Sequence, residues 1–249
     1  MWANPRANLD IVRDYVMKYG DGLDVLVLPE LFTTAFAQDI EVLKELAEDD
    51  EGATISCLKQ LAHDYEIAIG GSYLAAINGN YYNRGFIILP DGRATFYNKR
   101  HLFGLSAESR LFTAGEELPG VLDYLGWRIA LIVCYDLRFP VWCRRSEGNC
   151  QYDVLLVAAN WPVSRTYAWE HLMIARAIEN QAVVVGADRS GHDDFGDYDS
   201  MTHVYDCTGH EVECKSHDLL SVAVLSHDKI VDMRRRWPVA NDADSFCIL

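Results

Sequence analysis

Hydrophobic residues recur along this chain at two spacings, one typical of helices and one typical of strands. Apolar positions every three or four residues predict helices over residues 8–19, 53–65 and 168–180. Short apolar runs predict strands over residues 24–29, 67–70, 86–89, 129–133, 154–158 and 182–185, followed by a β-rich end. The turns Asn78-Gly79 and Asp91-Gly92 predict hairpins, which mix antiparallel strand pairs with strand–helix units. Helices that cover two sheets with buried inner faces predict an α/β fold, a four-layer α/β/β/α sandwich with mixed sheets.

Three strands of this pattern end at an ionisable side chain. Glu30 follows the strand 24–29, Lys99 follows the hairpin 86–97, and Cys134 closes the run 129–133. Open α/β sheets bind ligands at such strand ends. A carboxylate, an ammonium and a thiol are therefore predicted to form one site.

Length and composition are typical of one globular domain. With 249 residues, half of them hydrophobic, the chain can bury a large core, and we expect a single domain over residues 1–249. No apolar run approaches the ~20 residues that cross a bilayer, and the first residues lack a signal-peptide core, so we expect a cytoplasmic protein without a membrane partner. Seven cysteines at irregular spacings favour free thiols.

The charge of the chain argues against nucleic-acid binding. The formal net charge is -15, and the only tight basic run is at residues 234–236, whereas a phosphate-tracking surface needs clustered Lys and Arg. Acidic residues concentrate at 41–51, where we expect an exposed helix and its cap.

One Cys/His cluster superficially resembles a zinc site. Cys207, His210, Cys214 and His217 lie close in sequence, but no long spacer separates two ligand pairs. The alternating segments 202–205 and 211–214 instead predict a hairpin that turns at Thr208-Gly209. We therefore expect no metal site here.

Several motifs resemble those of a known family. The segments 28–30 (Leu-Pro-Glu), 97–103 (Tyr-Asn-Lys-Arg-His-Leu-Phe) and 134–140 (Cys-Tyr-Asp-Leu-Arg-Phe-Pro) resemble, in this order, the nitrilase superfamily of carbon-nitrogen hydrolases. The segments 160–162, 175–181 and 237–246 are similar to its omega-amidase branch. The resemblance covers nearly the whole chain. It implies the four-layer sandwich, a small-molecule amide substrate, no cofactor, and a homodimer or higher homo-oligomer.

The resemblance also implies a catalytic triad of Glu30, Lys99 and Cys134. Elementary chemistry supports the same roles, because a free thiol with a pKa of about 8.5 needs a base such as Glu30 before it can attack an amide. Lys99 would stabilise the oxyanion, and a thioester would form and be hydrolysed. Glu108, by its place between the Lys and Cys motifs, would orient Lys99 and the leaving group.

The implied activity is that of an omega-amidase, which hydrolyses the terminal amide of 2-oxo dicarboxylate monoamides such as 2-oxoglutaramate and 2-oxosuccinamate and releases ammonia. A deaminated-glutathione amidase or an N-carbamoyl hydrolase is the nearest alternative. An acyl-transfer enzyme and a non-catalytic binding module on the same fold are alternatives from other classes.

An arginine is expected to bind the distal carboxylate of such a substrate, because its guanidinium matches a carboxylate at two points. The candidates are Arg138, Arg189, Arg84 and Arg110, of which Arg138 and Arg189 lie in loops nearest the predicted site. An ordinary structural ion pair is the alternative for each. Tyr135, Phe36 and Trp161 are predicted to contact the substrate or line its pocket.

Two features depart from the family pattern. Family members usually begin with a β-strand of about five or six residues, whereas residues 1–4 lead directly into the predicted helix here. We therefore expect the family's first strand to be absent, which would leave a sheet edge or a cavity unsatisfied. The segment 198–202 carries Ser and Thr where the branch commonly has Gly and Ser, so a different loop shape is expected there.

Overall fold

Residues 3–36, 39–145, 151–244, 246 and 248 are described by a computed structural model. The expectation of a missing first strand depends on Met1 and Trp2, which lie outside these residues. The first described element is helix α1, Pro5–Tyr19. Asn4 caps it by accepting a hydrogen bond from the Ala7 N–H at 3.1 Å, and proline suits the first helical position.

The described chain alternates helices and strands along most of its length. The helices are α1 Pro5–Tyr19, α2 Ile40–Leu46, α3 Ala53–Tyr65, α4 Glu108–Leu111, α5 Thr166–Asn180 and α6 His227–Arg236, with short 3₁₀ helices at Cys134–Arg138, Val163–Arg165 and Val239–Asp242. The strands are β1 Val25–Val27, β2 Ala68–Ile77, β3 Asn80–Ile88, β4 Ala94–Asn98, β5 Val121–Tyr124, β6 Trp127–Val133, β7 Val154–Ala159, β8 Val183–Asp188, β9 Ser190–Asp193, β10 Gly196–Asp199, β11 His203–Tyr205, β12 Cys214–His217 and β13 Leu220–Ala223.

Two mixed sheets form the centre of the fold. The first has the strand order β1-β2-β3-β4, in which only β1 and β2 run parallel. The second has the order β11-β8-β7-β6-β5, with three parallel strands between antiparallel edges. Mixed sheets are what the hairpin turns and the strand–helix units together predict.

The side chains of β2 and β3 alternate between two cores. Ile69 and Phe86 pack with residues of α1 and α3 on the outer face of the first sheet. Ala68 and Ile87 point the other way and join the core shared with the second sheet. Helix α5 covers the far face of that second sheet. The order helix, sheet, sheet, helix confirms the predicted four-layer α/β/β/α sandwich.

Glycines in the first sheet allow the two sheets to approach closely. A Cβ on Gly85 would lie 2.6 Å from Cδ2 of Leu131, and one on Gly70 would lie 3.0 Å from Cδ1 of Leu156. Larger residues there would force the sheets apart, because cores are packed near crystal density.

The structure adds detail to several predicted elements. Helix α3 has the predicted bounds, and the strand predicted over residues 67–70 is the first part of a longer strand, β2, which ends at Ile77. The predicted turn at Thr208-Gly209 is present, with Gly209 at φ +82°. The predicted β-rich end is present as β8 to β13, but helix α6, which follows β13, was not predicted. Only Ile230 of this helix is buried, so it lacks the apolar stripe that would predict it.

The prediction of free thiols agrees with the described cysteines. Cys57, Cys134, Cys143, Cys207 and Cys214 are all free. The other two, Cys150 and Cys247, lie outside the described residues. Within the described ranges, no helix is long and apolar enough to cross a membrane.

Candidate active site

Glu30, Lys99 and Cys134 come together at one end of the two sheets. Each follows the end of a strand, namely β1, β4 and β6. The backbone N–H of Glu30 donates to the carbonyl of Ala159 at the end of β7, which ties the first sheet to the second at this point. The structure thus brings together the three side chains that strand ends predict.

Lys99 lies between two buried carboxylates. Its Nζ is 2.8 Å from Oε1 of Glu30 and 2.7 and 3.0 Å from the two carboxylate oxygens of Glu108. All three side chains are at most 2% exposed. Because buried charges need partners, Lys99 can remain an ammonium here only through these contacts.

Asn83 is a fourth member of the cluster that sequence reasoning missed. Its Nδ2 donates to Oε1 of Glu30 at 2.7 Å and to Oε1 of Glu108 at 3.2 Å. Its backbone carbonyl accepts from the N–H of Lys99 at 2.9 Å. Asn83 lies inside β3, where a single polar residue carries no sequence signal for a site.

Cys134 begins a 3₁₀ helix directly after β6 and has a positive φ of +45°. A non-glycine residue rarely takes this conformation, and such strain concentrates at functional sites. The sharp turn directs the Cys134 thiol toward the carbonyl of Asn160, with Sγ and O 3.8 Å apart.

Asp136 connects the cysteine turn to the lysine hairpin. Its carboxylate accepts hydrogen bonds from the Val133 N–H at 3.2 Å, the Tyr97 hydroxyl at 2.8 Å and the His101 N–H at 2.9 Å. Asp136 is fully buried. It therefore holds the residues on either side of Lys99 against the end of the strand that carries Cys134.

Burial and charge set the protonation of the site at rest. Burial raises the pKa of Cys134, the negative charge of Glu30 raises it further, and Lys99 only partly opposes them. Burial also raises the pKa of Glu30, against the opposing effect of Lys99, and Glu108 adds to the increase. Burial alone would lower the pKa of Lys99, but Glu108 and Glu30 outweigh it and raise that pKa. The resting site thus has a protonated thiol next to a carboxyl group of increased basicity.

These groups line a cavity with about 540 Å³ of empty space, part of it open to solvent. The lining residues are Glu30, Phe36, Lys99, Phe103, Ser106, Glu108, Cys134, Tyr135, Arg138, Asn160, Trp161, Arg165, Asp193, Phe195 and Tyr198.

Four of the five predicted substrate-contacting residues line this cavity: Phe36, Tyr135, Arg138 and Trp161. Arg189 does not line it. Its guanidinium is held by Asp193 and by Oδ1 of Asn160, and it stacks 3.7 Å from the centre of the Tyr198 ring. Arg189 therefore positions wall residues rather than reaching the cavity.

The other predicted arginines are also outside the lining. Arg84 forms an ion pair with Asp50 at 2.8 Å, and Arg110 is exposed on α4. Sequence reasoning missed Arg165, which precedes α5, and the hairpin residues Asp193 and Phe195. None of these follows a predicted strand end, so only the folded chain places them at the site.

Asp188 supports the wall formed by Trp161. It accepts the backbone N–H of Trp161 at 2.8 Å, and burial raises its pKa to about 7. Within the part of the chain that the structure describes, no three His, Cys, Asp or Glu side chains are arranged to hold a metal ion.

A model of the carbon-nitrogen hydrolase family matches residues 1–220. The chain belongs to the carbon-nitrogen hydrolase family. This hydrolase is similar to omega-amidase YafV of Yersinia enterocolitica, with 37% identity over 100% of this chain and 95% of that protein. It is also similar to 2-oxoglutaramate amidase of Bacillus subtilis, with 32% identity over 97% of this chain and 93% of that protein.

Solved structures agree with this assignment. A CN-hydrolase superfamily protein from Xanthomonas campestris, solved with an arsenic adduct in its active site, shares 35% identity at a TM-score of 0.91 and covers 99% of this hydrolase and 94% of its own chain. An amidase from Nesterenkonia sp. AN1 shares 23% identity at a TM-score of 0.77 over 95% of both chains. This similarity shows only that the two proteins have the same fold. The predicted family resemblance is thereby confirmed.

Proposed function

We propose that this carbon-nitrogen hydrolase is an omega-amidase, which hydrolyses the terminal amide of small 2-oxo dicarboxylate monoamides to the acid and ammonia. The observation that carries the proposal is the Lys99 ammonium, held between Glu30 and Glu108 in the cavity that also contains Cys134. Relatives named omega-amidase and 2-oxoglutaramate amidase support the choice of substrate.

In the first step, Cys134 attacks the carbon of the amide while Glu30 accepts the thiol proton. The raised pKa of Glu30 favours this transfer, because a base works best when its pKa is near the working pH. The new carbon–sulfur bond pushes an electron pair onto the amide oxygen.

That oxygen then carries negative charge and needs preorganised donors. The Lys99 ammonium, which lines the same cavity as Cys134, is the first donor that we propose, and the backbone N–H of Tyr135, which follows the nucleophile, is the second. One fixed donor of this kind is worth about 3–4 kcal/mol in acyl-transfer enzymes. Glu108 keeps the ammonium in place through its two contacts.

Collapse of this intermediate breaks the carbon–nitrogen bond. Glu30 returns its proton to the leaving nitrogen, so ammonia departs and a thioester remains on Cys134. Water then attacks the thioester and gives a proton to Glu30. The carbon–sulfur bond breaks, the sulfur takes that proton from Glu30, and the thiol is restored as the acid leaves. No cofactor takes part in this scheme.

We further propose that the protein is cytoplasmic, that residues 1–249 form one domain, and that the enzyme is a homodimer or a larger homo-oligomer. Free thiols at the described cysteines support a reducing compartment. Light scattering of the purified enzyme measures the oligomeric state, and a monomeric mass would contradict this part of the proposal.

Ammonia release tests the activity directly. The substrates are 2-oxoglutaramate, 2-oxosuccinamate, deaminated glutathione and an N-carbamoyl amino acid, each with the intact enzyme, Cys134→Ala and the control Cys57→Ala. We expect turnover of the 2-oxo monoamides, its loss in Cys134→Ala and its retention in Cys57→Ala. Preference for another substrate would redirect the assignment, and full turnover by Cys134→Ala would refute the mechanism. Hydroxamate formation with added hydroxylamine would indicate acyl transfer.

A further inference from the structure

The carboxylates that line the cavity are already in ion pairs. Glu30 and Glu108 share Lys99, and Asp193 contacts Arg189. Two lining arginines, Arg138 and Arg165, remain. Neither forms a side-chain hydrogen bond or an ion pair within the described ranges 3–36, 39–145 and 151–244. The cavity therefore has two guanidinium groups without an anionic partner.

Both guanidinium groups lie on aromatic rings. Cζ of Arg138 is 4.8 Å from the centre of the Trp161 ring, and Cζ of Arg165 is 5.1 Å from that of Phe103. Stacking fixes the plane of a guanidinium but leaves the N–H groups at its edge available. Both arginines are only partly buried, so a ligand that enters from solvent can reach them.

The two arginines share one framework with the nucleophile. The indole N–H of Trp161 donates to the carbonyl of Arg165 at 3.0 Å, while the ring of the same Trp161 supports Arg138. Arg138 is the last residue of the 3₁₀ helix that Cys134 begins. Their positions relative to the thiol are therefore set by short, packed segments.

We propose that Arg138 and Arg165 together bind the distal carboxylate of the substrate, the end opposite the reacting amide. This inference rests on the proposed function and deepens it by naming the carboxylate subsite. A guanidinium edge matches a carboxylate at two points, and a bound carboxylate would give these two arginines the anionic partner that the described residues do not provide. Helix α5 begins at the next residue, Thr166, and its first turn has no acidic residue, so the helix dipole adds to the attraction.

The test compares two amides of equal chain length. Initial rates are measured with 2-oxoglutaramate and with uncharged pentanamide for Arg138→Gln, Arg165→Gln and the surface control Arg93→Gln. We expect each cavity variant to lower kcat/KM for 2-oxoglutaramate about 10- to 100-fold, mainly through KM, as for a lost charge-assisted hydrogen bond. The cavity variants should lower the rate with pentanamide by a much smaller factor, and both rates of the control stay unchanged.

Binding provides a readout without turnover. Cys134→Ala is titrated with glutarate, a dicarboxylate of the same length, in the presence and absence of each arginine substitution. We expect glutarate to bind, and either substitution to weaken binding by a similar 10- to 100-fold factor. Unchanged glutarate affinity, or an equal loss of rate for both amides, would overturn the subsite while leaving the proposed function intact.

The proposed function can fail separately. An intact enzyme that hydrolyses pentanamide but not 2-oxoglutaramate would contradict the omega-amidase assignment. The titration would then still decide the subsite, because arginine-dependent glutarate binding supports it and absence of binding refutes it.

Discussion

Glu108→Gln provides the sharpest test of how charge is arranged around Lys99. Glutamine has nearly the same volume as glutamate and removes one negative charge from the buried cluster. Glu30 and Glu108 both contact Nζ of Lys99, at 2.8 and 2.7 Å, so their charges lie close together. Glu108 is one of the groups that raise the pKa of Glu30.

The magnitude follows from Coulomb's law. For a separation of about 5 Å and an effective dielectric constant of about 20, two unit charges repel by about 3 kcal/mol. The substitution removes a repulsion that favours the protonated carboxyl, so the pKa of Glu30 falls. The acidic limb of the pH profile should therefore move to lower pH, and the plateau should fall because Glu30 becomes a weaker base.

The assay is kcat/KM for ammonia release as a function of pH, with exposed Glu213→Gln as the matched control. If turnover of Glu108→Gln is too slow, the rate of Cys134 alkylation by iodoacetamide is followed by peptide mass spectrometry. This rate reports the same proton transfer without a substrate. An acidic limb that stays in place or moves to higher pH in both assays would refute the electrostatic reasoning. We expect the control to match the intact enzyme.

Three further substitutions test packing and charge elsewhere. Gly85→Val should lower the free energy of unfolding by about 1–3 kcal/mol in urea titrations, because its side chain would collide with Leu131, and an unchanged midpoint would contradict the close sheet contact. Asp136→Asn should cost about 1–3 kcal/mol and reduce turnover, since an amide N–H₂ would face donors, and a fully active, equally stable variant would argue against its connecting role. Arg128 and Arg234 hold the pKa of Asp153 down to about 2 against the effect of burial. The lowered pKa of Asp153 stabilises the folded protein by about 2 kcal/mol. This contribution is present above the pKa of Asp153 in the unfolded chain, near 4, and is lost as pH falls toward 2. Asp153→Asn should therefore flatten the pH dependence of unfolding in that window, and an equally steep fall would refute the assignment.

The site shows which residues a linear pattern can identify. Glu30, Lys99 and Cys134 each follow a predicted strand end, and the structure places them together. Asn83 and Arg165 have no such signal. Asn83 is one polar residue within β3. It belongs to the cluster only because β3 lies between β2 and β4 in the sheet, where its side chain reaches Glu30.

Arg189 illustrates the reverse error. Its position after β8 correctly indicated proximity to the site, but proximity along the sheet does not determine the direction of a long side chain. Asp193 on the neighbouring hairpin and Asn160 hold its guanidinium away from the cavity lining. Arg165, more distant from any strand end, lines the cavity because the short helix Val163–Arg165 directs it there.

The amino-acid sequence by itself determined the fold class, most elements and the reactive groups, because periodicity and strand-end position are local properties that survive in a linear pattern. Tertiary structure alone decided which charges are paired. The ion pair of Lys99 with Glu30, and the absence of any within the described ranges at Arg138 and Arg165, depend on distances between segments remote in the chain. Electrostatic energy depends on those distances and on burial, and neither is encoded in the spacing of residue types.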